Sequence, residues 1–369
     1  MATFGISSTS LLAAAASEHR TSHRLRRETD IDMQYRKLGT SGLTVSRMTF
    51  GAMTFGDHDF RGFKASVDQS TADRMVGVAM DAGLTTFDTA DFYAGGQSEV
   101  ILGKALATAG RRDHAVVATK VGLPLSDDPN DGGLSHRHVV GGVEACLRRL
   151  GTDYIDLLQI HAADFSTPLE ETLRALDSLV HRGLVRYLGW SNLPAWYAAK
   201  AQGLQAGNGW APFVSAQIYY NLLARDVESE VLPFVRDAGL GTFIWSPLAG
   251  GFLSGKYTRD DPTGGGGRRA SFGFPPIDVE RGYDLVDVLR RVADEQGITP
   301  AQAALGWLLA KQDVTSVIVG VSRMEQLEAN LAGADVVLPA ETVTALDAAC
   351  PLAPTYPQYM YTIRPGQDT

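Results

Sequence analysis

Three apolar runs decide how this chain is read: Thr85-Thr-Phe-Asp-Thr-Ala90, Ala115-Val-Val-Ala-Thr-Lys120 and Ile155-Asp-Leu-Leu-Gln-Ile-His161. Each is short and nearly continuous in apolar residues, as expected of a parallel strand covered by helices, and each turns polar near its end. Five similar runs occur outside them: Val45–Gly51 before, then Tyr187–Asn192, Phe213–Tyr220, Gly241–Leu248 and Val314–Gly320. Helical stretches separate them. From Pro168 to His181, residues Leu169, Leu173, Leu176 and Val180 form one stripe, and Gly183 supplies a stop. Thr299-Pro300 before Ala301–Ala310 reads as an N-cap followed by a proline at the first helical position. Eight β units, seven helical crossovers and a helix after the last strand predict an α/β fold of the (β/α)8 TIM-barrel type. Gln34–Leu38 and Leu43–Arg47 flank Gly39-Thr-Ser-Gly42, which predicts an N-terminal hairpin capping the barrel floor.

A doubly wound open sheet is the competing architecture. It would announce a G-x-G-x-x-G turn after the first strand, and Gly51-Ala-Met-Thr-Phe-Gly56 is not one. Gly265 to Ala270 matches G-x-G-x-x-A but follows a polar loop and opens no βαβ unit, so it reads as a flexible loop. The barrel is expected over residues 33–350. Residues 1–32 are expected to be an extension: 1–27 are rich in Ser, Ala and Arg with one acidic residue, Glu18, and transit peptides share that composition. Residues 351–369 are Pro-rich and polar and are expected to form a C-terminal tail over the surface.

With 33 basic and 42 acidic side chains the formal charge is −9, so the overall field gives no reason to expect nucleic acid or an anionic membrane as partner. A phosphate-bearing ligand must be held by local devices. No run approaches the ~20 apolar residues of a membrane span. Cys146 and Cys350 are too few for a disulfide framework and lack metal-ligand spacing, which favours a reducing, cytoplasmic setting.

Chemistry in a barrel collects at the C-terminal ends of the strands. Here those ends carry Asp88, with Tyr93 in the following loop, then Lys120, His161, Ser191-Asn192, Gln217 and Trp245-Ser246-Pro247. An acid, a phenol, an amine and an imidazole around one mouth are hard to dismiss as loop residues, because buried charge is costly without a partner. They suit proton transfer to a carbonyl oxygen during hydride delivery. An ammonium beside a phenol stabilises the phenolate, a carboxylate holds the ammonium, and an imidazole orients the substrate oxygen. No metal constellation is present: His136 and His138 lie at a helix start without further ligands.

These residues carry a specific resemblance. From about Met33 to Asp347 the chain resembles the aldo-keto reductases, through Phe87-Asp-Thr-Ala-Asp-Phe-Tyr93, Ala118-Thr-Lys120, Asp156-Leu-Leu-Gln-Ile-His161 and Gly189-Trp-Ser-Asn192. Trp245-Ser-Pro-Leu-Ala-Gly250, Ser254-Gly-Lys-Tyr257 and Val319-Gly-Val-Ser-Arg323 follow in matching order and spacing. The resemblance implies a catalytic tetrad of Asp88, Tyr93, Lys120 and His161, and NADP(H) as cofactor. It places Ser191, Asn192 and Gln217 at the nicotinamide carboxamide, Trp245 on the nicotinamide ring, and Met53 and Asp88 among the cofactor contacts. Ser246, Pro247, Leu248, Gly250 and Lys256 fall at the pyrophosphate. Gly320, Ser322, Arg323, Gln326 and Asn330 fall at the adenosine end, with Ser322, Arg323 and Arg269 toward the 2′-phosphate. A hydroxyl and a basic residue at a helix N-terminus suit that anion. One departure is Ala329, where related members place a Glu that contacts the adenine.

Other functions are weighed by single residues. Gly250-Gly-Phe-Leu-Ser-Gly-Lys256-Tyr257 is a Walker A pattern but for Tyr257, which cannot replace the magnesium-binding Ser or Thr. Lys120 could serve as a Schiff-base nucleophile at a strand end. The pattern is also similar to potassium-channel β subunits, which bind NADPH and regulate a partner; those carry Asn where this chain has His161. The expected activity is reduction of an aldehyde or ketone, with a small carbonyl compound as partner. The carbonyl compound itself and the oligomeric state are not legible, because the loops that shape the pocket, Thr54–Val67 and Leu123–Leu134, and the tail carry no informative chemistry.

Overall fold

The computed structural model describes residues 33–266, 269, 272–353 and 355–361; the expected extension 1–32, the end of the tail and part of the Gly265–Ala270 motif lie outside them. Eight parallel strands close into a barrel. In order around it they are β3 (Met48–Gly51), β6 (Thr86–Asp88), β7 (Val116–Val121), β8 (Ile155–Ile160), β9 (Val185–Ser191), β10 (Phe213–Tyr219), β11 (Gly241–Trp245) and β12 (Ser316–Gly320), with β12 returning to β3. Six helices cover the crossovers up to β11: α1 (Gln69–Asp81), α2 (Gln97–Thr108), α3 (His136–Leu150), α4 (Leu169–His181), α5 (Ala195–Asn208) and α6 (Val231–Asp237). Among the described residues the last crossover carries α7 (Val279–Gln296) and α8 (Pro300–Ala310), and α9 (Met324–Ala332), α10 (Ala340–Ala349) and the short α11 (Gln358–Tyr361) follow β12.

The hairpin forms between β1 (Tyr35–Lys37) and β2 (Thr44–Ser46). This corrects the expected first strand: Val45–Gly51 is not one run but breaks at Arg47. Thr44–Ser46 belongs to the hairpin and only Met48–Gly51 to the barrel. The remaining strands differ from expectation by one to three residues at their ends, where strands give way to turns that periodicity does not mark. A second small hairpin, β4 (Asp59–Phe60) with β5 (Phe63–Lys64), sits in the loop after β3.

Strand alternation sorts the side chains into two cores. In β8, Leu157 points into the barrel with Ala118, Phe243 and Ile318, whereas Leu158 and Ile160 point outward to the helices. Leu38 and Val45 of the floor hairpin complete the inner cluster from below. On α4, Leu169, Leu173 and Leu176 are buried and Val180 packs half-buried against them, as the stripe predicts. At α8 the Thr299 hydroxyl accepts from Gln302 N while Gln302 Oε1 accepts from Thr299 N, a reciprocal cap worth about 0.5–2 kcal/mol.

Candidate active site

Alternation that buries Ala118 and Leu157 at mid-barrel carries Lys120, Gln159 and His161 inward one and two steps higher, at the C-terminal mouth. Lys120 is fully buried, and its ammonium donates to Asp88 Oδ2 at 2.7 Å, Thr89 O at 2.9 Å and Tyr93 Oη at 3.2 Å. All three of its donors are therefore engaged. The second Asp88 oxygen accepts from Gln217 Nε2 at 2.7 Å and Gln159 Nε2 at 3.4 Å. Gly189 makes room for this arrangement: a Cβ there would lie 2.3 Å from Ser215 Oγ and 3.2 Å from Gln159 Cγ. Burial works against the Lys120 charge, but the Asp88 carboxylate and the Tyr93 phenol outweigh it and hold the lysine pKa above its ordinary value.

The His161 ring stands edge-on to Tyr93, centroids 5.8 Å apart at 85°, and edge-on to Phe92 at 6.4 Å and 87°. Burial, aided by the Lys120 charge, pushes the imidazole pKa well below 6.5, so the ring is neutral. Its buried Nδ1 has no hydrogen-bond partner among the described residues.

The expected cofactor residues continue around the mouth. Asn192 adopts a left-handed backbone (φ 55°), and its amide donates to His161 O and Ser191 Oγ, both at 2.9 Å, and accepts from Trp245 Nε1 at 3.1 Å. Ser191 Oγ donates to Gln217 O at 3.0 Å. The Trp245 ring stacks with Tyr219 at 4.6 Å and with Phe274 at 6.0 Å. Ser246 Oγ accepts from Gly250 N at 2.8 Å and so closes the turn that contains Pro247 and Leu248. Arg269 donates to Ala249 O, Gly273 O and Pro275 O. It is thus tied to that turn, and no hydrogen bond joins it to Ser322 or Arg323 among the described residues. Lys256 lies 5.2 Å from the Tyr257 ring centroid. Tyr257 itself is buried and stacks on Phe252 at 5.3 Å. The Walker-like stretch is therefore a 3₁₀ turn (Phe252–Ser254) anchored by packing, not a strand-to-helix phosphate loop.

At the far end, Gly320 closes β12, Ser322 and Arg323 precede α9, and Gln326 and Asn330 lie in it. Ser322 N and Oγ donate to Gln326 Oε1 at 3.0 and 3.2 Å. Met53 occupies a 3₁₀ turn (Ala52–Thr54) after β3, and Thr54 Oγ1 donates to Val321 O at 2.6 Å, joining the loops after the first and last barrel strands. Sequence reasoning missed Gln159, although it shares the inward parity of Leu157 and His161 and could have been found that way. It also missed Phe274 and the buried Asp91, Glu99 and Arg149, which no local pattern marks.

Comparison with known proteins shows the family. The model of the aldo/keto reductase family matches residues 47–350. The chain belongs to the aldo/keto reductase family. It is 35% identical over 337 residues to versiconal hemiacetal acetate reductase of Aspergillus parasiticus, covering 85% of this chain and 96% of that protein. An oxidoreductase of Bacillus subtilis is 37% identical over 329 residues, 86% of this chain and 96% of the relative. A potassium channel β subunit of Arabidopsis thaliana, named as a probable one, is 38% identical over 327 residues, 85% and 95% of the two chains. This family member is thus an oxidoreductase by descent, built on a closed barrel with a polar mouth. Among the described residues no helix is long and apolar enough to cross a membrane.

Proposed function

We propose that this aldo/keto reductase reduces an aldehyde or ketone to an alcohol with NADP(H) and uses Tyr93 as the general acid. The observation that carries the reading is the Lys120 ammonium, bonded at once to Asp88 at 2.7 Å and to the Tyr93 hydroxyl at 3.2 Å, with the neutral His161 ring alongside. The reduced nicotinamide supplies the hydride. Proton movement and orientation fall to the chain. The neutral His161 ring beside the Tyr93 phenol would donate a hydrogen bond to the substrate oxygen and orient it. Tyr93 passes its proton to the carbonyl oxygen, and the Lys120 ammonium stabilises the phenolate left behind. Asp88 keeps that ammonium charged and in place.

The mouth has the right donors for the dinucleotide. Ser191, Asn192 and Gln217 present hydroxyl and amide groups suited to a carboxamide, and Trp245 a ring beside them. Met53, the Ser246–Leu248 turn with Gly250, Lys256 and Arg269 would line the middle of the cofactor, and Gly320, Gln326 and Asn330 the adenosine. The Arg323 guanidinium has no hydrogen-bond partner among the described residues, and with Ser322 it stands at the start of α9, where a 2′-phosphate would gain from both charge and helix dipole. A cytoplasmic setting belongs to the same reading, supported by two buried free thiols, Cys146 and Cys350.

Tyr93→Phe tests the reading. It removes one hydroxyl and keeps the ring. Turnover of a carbonyl panel, followed by NADPH absorbance, should fall by roughly 10²–10⁴-fold while NADPH still binds. Retention of most of the rate would end the general-acid assignment and leave an NADPH-binding regulatory protein as the better description.

A further inference from the structure

The inner face of the barrel wall accounts for Asp88, Lys120 and His161. On its outer face lies a second charged group with no part in the chemistry above. Thr119, between the inward-facing Ala118 and Lys120, points outward, and its hydroxyl donates to Glu99 Oε1 at 2.5 Å. Glu99 is fully buried in the first turn of α2. Its other oxygen accepts from Arg149 Nε of α3 at 2.6 Å. Arg149 in turn packs under the loop that carries Tyr93. Immediately after Tyr93, Ala94, Gly95 and Gly96 take left-handed conformations (φ 49°, 60° and 89°) and swing the chain into α2. At Gly96 a Cβ would lie 2.7 Å from Arg149 Cδ and Nε, so no side chain fits between the loop and the guanidinium stem.

We propose that Glu99 and Arg149 are positioning residues for the Tyr93–Lys120 couple, holding the phenol loop and the lysine strand in register from behind the wall. The pair touches both halves: through Thr119 the residue next to Lys120, and through Gly96 the turn three residues past Tyr93. Asp91 completes the group. Its backbone N–H donates to Lys120 O at 3.1 Å, stitching the loop to β7 directly. Asp91 is 1% exposed. Burial and the neighbouring Glu99 charge push the Asp91 pKa well above the usual carboxylate range. Glu99 and Arg149 compensate each other's charge within the group. Its influence on the site is geometric.

A comparable ion pair supplies the control. Arg112 and Asp156 meet at 2.9 Å, and Asp156 accepts from Val117 N at 3.0 Å, so this pair joins β7 to β8 without touching the phenol loop. The inference rests on Tyr93 being the general acid, and Tyr93→Phe is therefore assayed beside the new variants. In the full-length chain, Glu99→Gln should lower kcat about ten- to a hundredfold, the scale of a misplaced reacting group, with NADPH affinity within about twofold of the parent. Thr119→Val, which removes one hydroxyl of the network, should lower kcat by about threefold or more, and Thr119→Ser should restore it. Arg112→Gln should shift the urea midpoint and leave kcat of the folded protein unchanged. The proposal is overturned if Thr119→Val keeps the parental kcat, a result available even if Glu99→Gln does not fold. It is equally overturned if Glu99→Gln loses kcat only in proportion to lost folded protein, as Arg112→Gln would. Should Tyr93→Phe retain turnover, the general-acid reading fails; should Tyr93→Phe lose it while Glu99→Gln and Thr119→Val do not, only the positioning role fails.

Discussion

The two ends of the barrel are built from the same strands and to opposite rules. At the floor, the β1–β2 hairpin pushes Leu38 and Val45, both fully buried, against Ala118, Leu157, Phe243 and Ile318. Its backbone is tied down as well, with Thr40 N donating to Gly239 O at 2.9 Å and Arg36 Nη1 to Val314 O at 3.0 Å. At the mouth, the same inward parity delivers Lys120, Gln159 and His161. Among the described residues every non-glycine with positive φ (Arg61, Ala94, Asn192, Ser246 and Ala249) lies in a loop at this end. Such conformations cost on the order of 1–3 kcal/mol each for ordinary residues, and a buried unpaired imidazole nitrogen adds to that. One end of each strand thus supplies stability, and the other uses it to hold strained and charged groups where chemistry needs them.

If that division is real, substitutions at the two ends must separate. The largest effect is expected for Lys120→Met. It strips the ammonium from a salt bridge whose side chains are 0% and 5% exposed and leaves the Asp88 carboxylate uncompensated. Removing one partner of a buried pair costs about 3–5 kcal/mol, so the urea midpoint should drop sharply and turnover should be lost with it. A destabilisation below about 1 kcal/mol would mean that water reaches Asp88 and that the mouth is not as dry as its geometry indicates. At the floor, Leu38→Ala should cost about 2–5 kcal/mol, because the barrel strands around it cannot collapse into the space. Yet turnover per folded molecule should remain that of the parent. A loss of turnover in the Leu38→Ala protein at full folding would break the division between the two ends.

The floor and the mouth were also not equally legible. Parallel strands write themselves as apolar runs, so the eight strands and their helices could be read from runs such as Ile155–Ile160, and the hairpin from Gly39-Thr-Ser-Gly42 between two β segments. The break at Arg47 was not visible, because an apolar run does not reveal where a strand leaves one sheet for another. Asp88, Lys120 and His161 could be placed at one rim because each ends a counted strand. Tyr93 lies in the loop after one of those strands and could be placed at the same mouth, but its 3.2 Å contact with Lys120 depends on the turn that carries it, which no spacing reveals. Glu99 and Arg149 were invisible for a plainer reason. They are fifty positions apart on different helices, and each looks like an ordinary surface charge until the helices pack. Arg269 stands between these cases: its basic character suggested a phosphate, and the structure ties its donors to the carbonyls of Ala249, Gly273 and Pro275.

A smaller effect is expected at Ser322 and Arg323, the residues proposed to face the cofactor's adenosine end. Arg323 opens α9 beside Ser322, and its charge can be offered to a 2′-phosphate only if that phosphate is present. Hydrogen bonds to charged groups contribute about 1.5–3 kcal/mol, so Arg323→Ala should weaken NADPH by about tenfold or more while NADH affinity stays the same. Saturating turnover should change little. Fluorescence titration with the two cofactors measures this directly, and equal affinity of the parent protein for both would remove Arg323 from the cofactor site.

The smallest effect should come from the most conspicuous ion pair at the floor. Arg236 of α6 meets Asp313 in a two-pronged contact, Nε to Oδ1 at 3.0 Å and Nη2 to Oδ2 at 2.6 Å. By distance it is tighter than the Lys120–Asp88 pair at 2.7 Å. Its surroundings differ: the Arg236 side chain is 62% exposed, against 0% for Lys120. Water that already solvates the guanidinium screens the attraction and takes over when the partner is removed, so such pairs contribute about 0–1 kcal/mol. Arg236→Met should therefore shift the urea midpoint by less than a quarter of what Lys120→Met does, and 1 M salt should shrink the shift further as the screening length falls to about 3 Å. Turnover should be unaffected. A loss for Arg236→Met rivalling that of Lys120→Met would show that contact distance, and not burial, sets the strength of ion pairs in this barrel. That outcome would undo the argument that the mouth differs from the floor by exclusion of water.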